Sequence, residues 1–233
     1  MTFEDKTSND KLNDFLEGIK SAFPIVMGYI PIGITYGLLA TRAGLTVTET
    51  ILMSLMVFAG SSQFLAVNMI EMNFDFFSIV VTTFLVNLRH LLFSVSLALK
   101  LKNSPNFIIP IASFLITDES FAMSINSIEK HKCKYCYFLG LGLTGYISWF
   151  LSSLFGATVG FWFYHFDVSF LDFVLPSMFI ALLVLQIKTR RDVLISIVSG
   201  LFSILISCFF AGNWNVIIAT LLAATMGVII END

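Results

Sequence analysis

Charge is what this sequence has least of. Only 12% of its 233 residues are charged and 57% are hydrophobic, with a mean hydropathy of +0.86. An ordinary soluble domain carries roughly a quarter charged residues. One soluble core cannot hide this much apolar surface, and the same surplus excludes intrinsic disorder. A dense basic stripe is also missing: the net charge is −3 and the pI about 5.6. Nucleic acid is therefore not an expected partner. The first twenty residues, MTFEDKTSNDKLNDFLEGIK, lack the apolar run and small-residue cleavage site of a secretory leader. They are expected to form a short flexible or interfacial cytoplasmic arm ahead of an uncleaved insertion signal.

Cysteine is scarce too, with three in the chain. Cys208 lies in an apolar run and reads as a small buried residue. Cys133 and Cys136 form a CxxC beside His131. That supplies three ligands, one short of a closed zinc site, and no strand–helix context supports a redox motif. The expectation is a basic cytoplasmic loop whose thiols stay reduced. HExxH, GxSxG and nucleotide-binding motifs are absent. No enzyme activity, cofactor or metal is expected.

What the chain does have is long apolar runs. Eight can be read: Phe23–Ala40, Thr50–Ile70, Phe74–Leu99, Phe107–Ile128, Tyr137–Tyr164, Phe170–Ile187, Val193–Phe210 and Trp214–Ile230. Each is near the length that crosses a hydrocarbon core of about 30 Å. The last two are the shortest and could pair as a tight hairpin. The expected fold is all-α, a polytopic integral membrane protein with about seven or eight transmembrane helices in one domain over residues 21–230. With the N-terminus cytoplasmic, nine lysines and arginines fall inside and three outside (Arg42, Lys100 and Lys102). This bias places both termini inside. The Lys100/Lys102 pair is the contrary signal, and it would disappear if Phe107–Ile128 did not cross fully. Pro31 before Thr41-Arg42 and Pro176 before Thr189-Arg190 suggest a loose inverted repeat, a common transporter feature.

Three groups of residues stand out against the lipid background. In FPIVMGYIPIGITYGLLA, Pro24 and Pro31 remove helix donors while Gly28, Gly33 and Gly37 add backbone freedom. This is either a kinked packing helix or a discontinuous one, whose freed backbone groups would have to face a cavity. In AGSSQF, the small residues Gly60, Ser61 and Ser62 allow close approach, and Gln63 should face the interior. Ser148, Ser152, Gly156 and Gly160 form a packing stripe at steps of four.

The third group is ionic. Thr83, Asn87, His90 and Ser94 recur on one face of the third segment, with Arg89 about 100° away. Ser113, Thr117, Ser120 and Ser124 form a matching face on the fourth, beside Asp118 and Glu119. A central Arg or Asp costs about 2.5–3.5 kcal/mol on insertion scales, so these groups must pair or face water. Arg89 is expected to pair with Asp118 or Glu119. The cluster is either architectural, or it binds a charged substrate or carries a coupling proton. An α-amino acid needs one cation and one anion, and both are present. His90 with the two carboxylates makes a poor metal set.

GYIPIGITYGLLATRAGL, FAGSSQF, NLRHLLFS and LITDESFA occur here in sequence order. Together they resemble the hallmarks of the AzlC family, the large subunit of branched-chain amino acid exporters. The resemblance runs from Ser21 to Ala122 and more loosely through Leu175–Leu183. Ser62 and Asn87 depart from the usual pattern, which leaves the substrate open. The resemblance implies a bacterial cytoplasmic-membrane transporter that exports branched-chain amino acids and analogues. It also implies a small hydrophobic partner subunit of the AzlD type. On this reading Gly28, Pro31 and Gly33 open the first helix, and Gly60, Ser61, Ser62, Gln63 and Asn87 line the site. Arg89 meets carboxylate, Asp118 or Glu119 meets ammonium or carries a proton, and His90 tunes the cluster. The alternatives are a transporter of another amino-acid-like solute, a non-transporting assembly subunit, or a membrane enzyme.

Overall fold

The computed structural model describes residues 3–102, 104–125, 127–162 and 189–209, with isolated positions between and beyond. It falls into two units, residues 1–171 and 172–233, which are described separately. Every regular element among the described residues is helical. Most of the sixth and eighth apolar segments, most of the chain between Pro176 and Thr189 in the suggested repeat, and the side chain of Cys208 lie outside the described residues.

In the first unit, α1 (Phe3–Ser21) leads through Ala22 into α2 (Phe23–Arg42). The hydrogen bonds Ala22 N–H to Gly18 O (3.1 Å) and Val26 N–H to Ala22 O (2.9 Å) carry the helix through the junction. The polar arm is thus a helix docked on the protein. Asp10 accepts from Lys132 Nζ at 2.8 Å, and Asp14 accepts from the Cys133 N–H at 2.7 Å. Both α1 and α2 run along α9 (Lys134–Trp162). A Cβ on Gly37 would strike the backbone of Ser153 and Ala157, and one on Gly156 the backbone of Ile34. The small-residue stripe of the fifth segment therefore does pack helix against helix, as small residues do where lipid gives no hydrophobic drive. Cys133 and Cys136 are joined in a disulfide, where the sequence suggests free thiols. Their spacing of three residues at the entry to α9 brings the two sulfurs together.

The first apolar segment does not open. Residues 23–42 form one continuous helix with Pro31 inside it. The carbonyl of Pro31 accepts from Thr35 Oγ1 at 2.9 Å, and the proline ring lies on the exposed side. A proline costs one backbone bond, and packing along α9 outweighs that cost here.

The breaks lie elsewhere. The second segment is two helices, α3 (Val47–Met56) and α4 (Gly60–Glu71), separated by the non-helical residues 57–59. The fourth is also two, α7 (Ile108–Phe114) and α8 (Asp118–Ser124). The third runs as α5 (Phe76–Asn87) and α6 (Arg89–Lys100), which meet at Leu88 in a tightened turn with Leu91 N–H bonded to Leu88 O at 3.0 Å. Residues 23–42, 76–100 and 134–162 are each long and apolar enough to cross a membrane.

The positions of the helix ends show where the broken segments go. Thr41, Gly44, Leu45 and Thr46 line one hollow with Phe161, so α3 starts at the C-terminal end of α9. Lys100 meets Glu129 at 3.3 Å, and Glu129 also pairs with Lys134. Helix α6 therefore ends at the opposite, N-terminal end of α9. The 25-residue run of α5 and α6 must then begin at the end where α3 began, so α3 and α4 enter and return. By the same test α7 and α8 enter and return from the lysine-rich end. This places Lys100 beside Lys134 and removes the contrary signal in the charge count. The second unit contributes α10 (Arg190–Phe209), whose first turn is fixed by reciprocal bonds between Thr189 and Asp192.

Candidate functional site

Half-helices that turn back at a break put chain ends and polar side chains deep among apolar neighbours. Thr117 is extended (φ −130°, ψ 172°) and caps α8, accepting from Ser120 N–H while the Ser120 hydroxyl accepts from the Thr117 N–H at 2.8 Å. This capping box fixes the next two residues, Asp118 and Glu119, in the first turn. Ala59 precedes α4 and caps it with no side chain. The Leu88 turn, halfway along the α5–α6 run, delivers Arg89.

These three points meet. Arg89 Nη2 lies 3.0 Å from Asp118 Oδ2, with side chains 25% and 13% exposed, so the pair is largely withdrawn from solvent. The same Nη2 donates to Ser61 Oγ. Ser62 Oγ donates to Asn87 Oδ1 at 2.7 Å. Glu119 does not compete for the arginine; Tyr29 OH donates to its Oε2 at 2.7 Å and lies 2.9 Å from Thr117 Oγ1. Of the two possible pairings, the structure shows Arg89 with Asp118. Two atoms of that pair have no hydrogen-bond partner although buried: Arg89 Nε, a donor, and Asp118 Oδ1, an acceptor.

Behind this cluster sits a second polar layer. Gln63 is fully buried. It accepts from Trp149 Nε1 at 2.9 Å and donates to Ser54 Oγ at 3.1 Å. Tyr36 stacks near Trp149, and its buried hydroxyl has no partner within the protein. One turn beyond Arg89 and Asp118 on their respective helices, Phe93 stacks on Phe121 at 4.6 Å. An apolar wall therefore adjoins the charged pair.

The structure brings Ser61, Ser62, Asn87, Arg89, Asp118 and Glu119 together, with Gln63 and Gly60 in the layer behind, where Gly60 abuts the Trp149 ring. His90 turns back to the Asn87 carbonyl (3.1 Å) and meets the edge of Phe93. Gly28, Pro31 and Gly33 are not part of the cluster. Gly28 has open space where a Cβ would be, Pro31 is exposed, and Gly33 abuts Ser152. Thr83 bonds its own helix at Ile79 O, and Ser113 is exposed on the other half-helix from Thr117, so the two supposed polar faces are not continuous. Tyr29, Tyr36, Ser54 and Trp149 were not anticipated. Their polar tips are the only sign, and 25 phenylalanines and six tyrosines hide aromatics of this kind. Among the described residues no group of three or more His, Cys, Asp or Glu could hold a metal ion.

A family model described as AzlC protein matches residues 24–163, which takes in α2 to α9 and the whole cluster. An uncharacterized membrane protein of Archaeoglobus fulgidus is 36% identical over 76% of this chain and 78% of its own length. The branched-chain amino acid transport protein AzlC of Bacillus subtilis is 28% identical, covering 96% of this chain and 88% of its own. Inner membrane protein YgaZ of Escherichia coli is 27% identical over 78% and 77%. No solved structure matches significantly.

Proposed function

The chain belongs to the AzlC family, and we propose that it exports branched-chain or closely related apolar amino acids across the cytoplasmic membrane. It is an all-helical membrane protein of a family associated with transport rather than catalysis. The observation that carries the finer reading is the pair of unsatisfied atoms. Buried polar groups without partners are uncommon and call for an explanation. Arg89 Nε is a donor suited to a carboxylate, and Asp118 Oδ1 is an acceptor suited to an ammonium. A zwitterionic α-amino acid supplies both at adjacent atoms. The Phe93–Phe121 wall beside them suits an apolar side chain. Ser61, Ser62 and Asn87 hold Arg89 in register, and Glu119 with Tyr29 offers a second acidic position for ammonium or a coupling proton.

Orientation follows from the lysines. Lys100, Lys102, Lys130, Lys132 and Lys134 share one end with α1, and Arg42 lies at the other. The positive-inside rule makes the lysine-rich end cytoplasmic. A small hydrophobic AzlD-type subunit completes the exporter, and proton-motive force drives it. The test is efflux of labelled amino acids from proteoliposomes containing this chain, with and without such a subunit. Export of valine, leucine or isoleucine is expected. Efflux of another amino acid alone would move the reading to a different substrate. No efflux of any amino acid in either case would leave a non-transporting assembly subunit.

A further inference from the structure

Where α6 ends beside the start of α9, the chain forms an open cleft of about 280 Å³ lined by Lys100, Lys102, Lys132 and Lys134, with Ser104 and Tyr135. We propose that this cleft binds the phosphate of an anionic phospholipid headgroup. Four ammonium groups converge there against two carboxylates: Glu129 answers Lys100 and Lys134, and Asp10 answers Lys132. Among the described residues no carboxylate lies within ion-pair distance of Lys102. The cleft therefore keeps an excess of two positive charges, one of them on an unpaired, exposed side chain. Basic pockets between helices at a membrane surface select anionic headgroups.

What favours a lipid over a soluble anion is the surface that continues from the cleft. Leu99 lines its rim and is 77% exposed, and Leu92 and Val95 continue the apolar row up α6. This exposed row offers acyl chains an apolar track that starts at the rim of the lysine cleft. Tyr135 at the rim has the amphipathic character favoured at the interface. The site is separate from the transport cluster and does not depend on its reading.

The test is binding to the purified full chain in detergent, read by native mass spectrometry and by thermal shift. The probes are dioleoylphosphatidylglycerol, dioleoylphosphatidylcholine and glycerol 3-phosphate. K102Q and K102E break no ion pair, so their fold should persist; size exclusion checks this. Expected results are tight retention of phosphatidylglycerol over phosphatidylcholine, weakened by salt. K102Q should lower its affinity about fivefold, the scale of one lysine at an anionic surface, K102E should lower it further, and K102R should retain it. Equal retention of the two lipids overturns the proposal, as does parental affinity in K102E. Displacement of phosphatidylglycerol by equimolar glycerol 3-phosphate would make the cleft a soluble-anion site and overturns the lipid assignment.

Discussion

Arg89 and Asp118 could hold each other in place and do nothing more, and the two roles separate at the level of single atoms. An architectural pair needs one contact, which the 3.0 Å Nη2–Oδ2 distance supplies. It gives no reason for Nε and Oδ1 to be buried without partners, since each idle group forfeits about 1–3 kcal/mol of hydration. R89A and D118N are each expected to lower amino-acid efflux at least tenfold. The swap R89D/D118R restores opposite charges across the same two helices but presents the carboxylate where the guanidinium stood. It should recover the thermal stability lost in the single variants and leave efflux lost. Recovery of efflux in the swap would make the pair architectural. F93A should leave efflux of the smallest apolar amino acids nearly intact and weaken that of leucine several-fold, because one turn separates that ring from Arg89. The ionic residues were legible in the sequence because a charge inside an apolar run has few innocent explanations. Tyr29 and Trp149 were not, because an aromatic ring in lipid looks the same whether or not its polar tip has a partner.

At the scale of the helix, the sequence signals and the structure disagree in an instructive way. Pro31, flanked by glycines, looks like a break and is not one. Residues 57–59 and 115–117 carry no proline and are breaks. Side-chain packing along α9 holds the first helix straight, whereas Ala59 and Thr117 turn the chain at points fixed by partners remote in sequence: Arg89 near one, Tyr29 near the other. Such partners are invisible to local propensity. The same packing predicts two glycine outcomes. G37V places a methyl-bearing carbon into the backbone of Ser153 and should cost about 1–3 kcal/mol as overpacking, read as a lower unfolding temperature in detergent. G28A meets nothing within 4 Å and should be neutral or stabilising by about 0.5–1 kcal/mol through helix propensity. The junction of α6 with α9 has a pH dependence of its own. Lys134 and Lys100 hold the Glu129 carboxyl below its ordinary value. Its contribution is therefore present above the ordinary carboxylate range and fades as pH falls through the lowered one. The group is exposed, so the step should be small. E129Q should remove it from a plot of unfolding temperature against pH between about 5 and 3.

At the scale of the molecule, two hairpins of half-helices in the first unit approach from opposite ends and stop beside α2, the α5–α6 run and α9, the three helices among the described residues long and apolar enough to cross a membrane. The α3–α4 hairpin delivers Ser61, the α7–α8 hairpin delivers Asp118, and the long α5–α6 run delivers Arg89 between them. Neither hairpin could be told from a spanning helix by length, since two half-helices and a turn consume about as many apolar residues as one crossing. The lysine count held the clue: Lys100 and Lys102 share a side with the N-terminal arm only if Thr50–Ile70 returns, and with Lys130, Lys132 and Lys134 only if Phe107–Ile128 returns as well. Cysteine labelling decides the matter. In a background lacking Cys133, Cys136 and Cys208, single cysteines at Thr48, Met72, Asn106 and Lys130 lie at exposed positions flanking the two hairpins. A membrane-impermeant maleimide applied to intact cells should label T48C and M72C alike, and should reach N106C and K130C only after the membrane is opened. If both segments crossed, each pair would divide, with one member labelled in intact cells and the other protected. That outcome would set Lys100 and Glu129 on opposite faces of the membrane, against their 3.3 Å contact, and would overturn the hairpin topology.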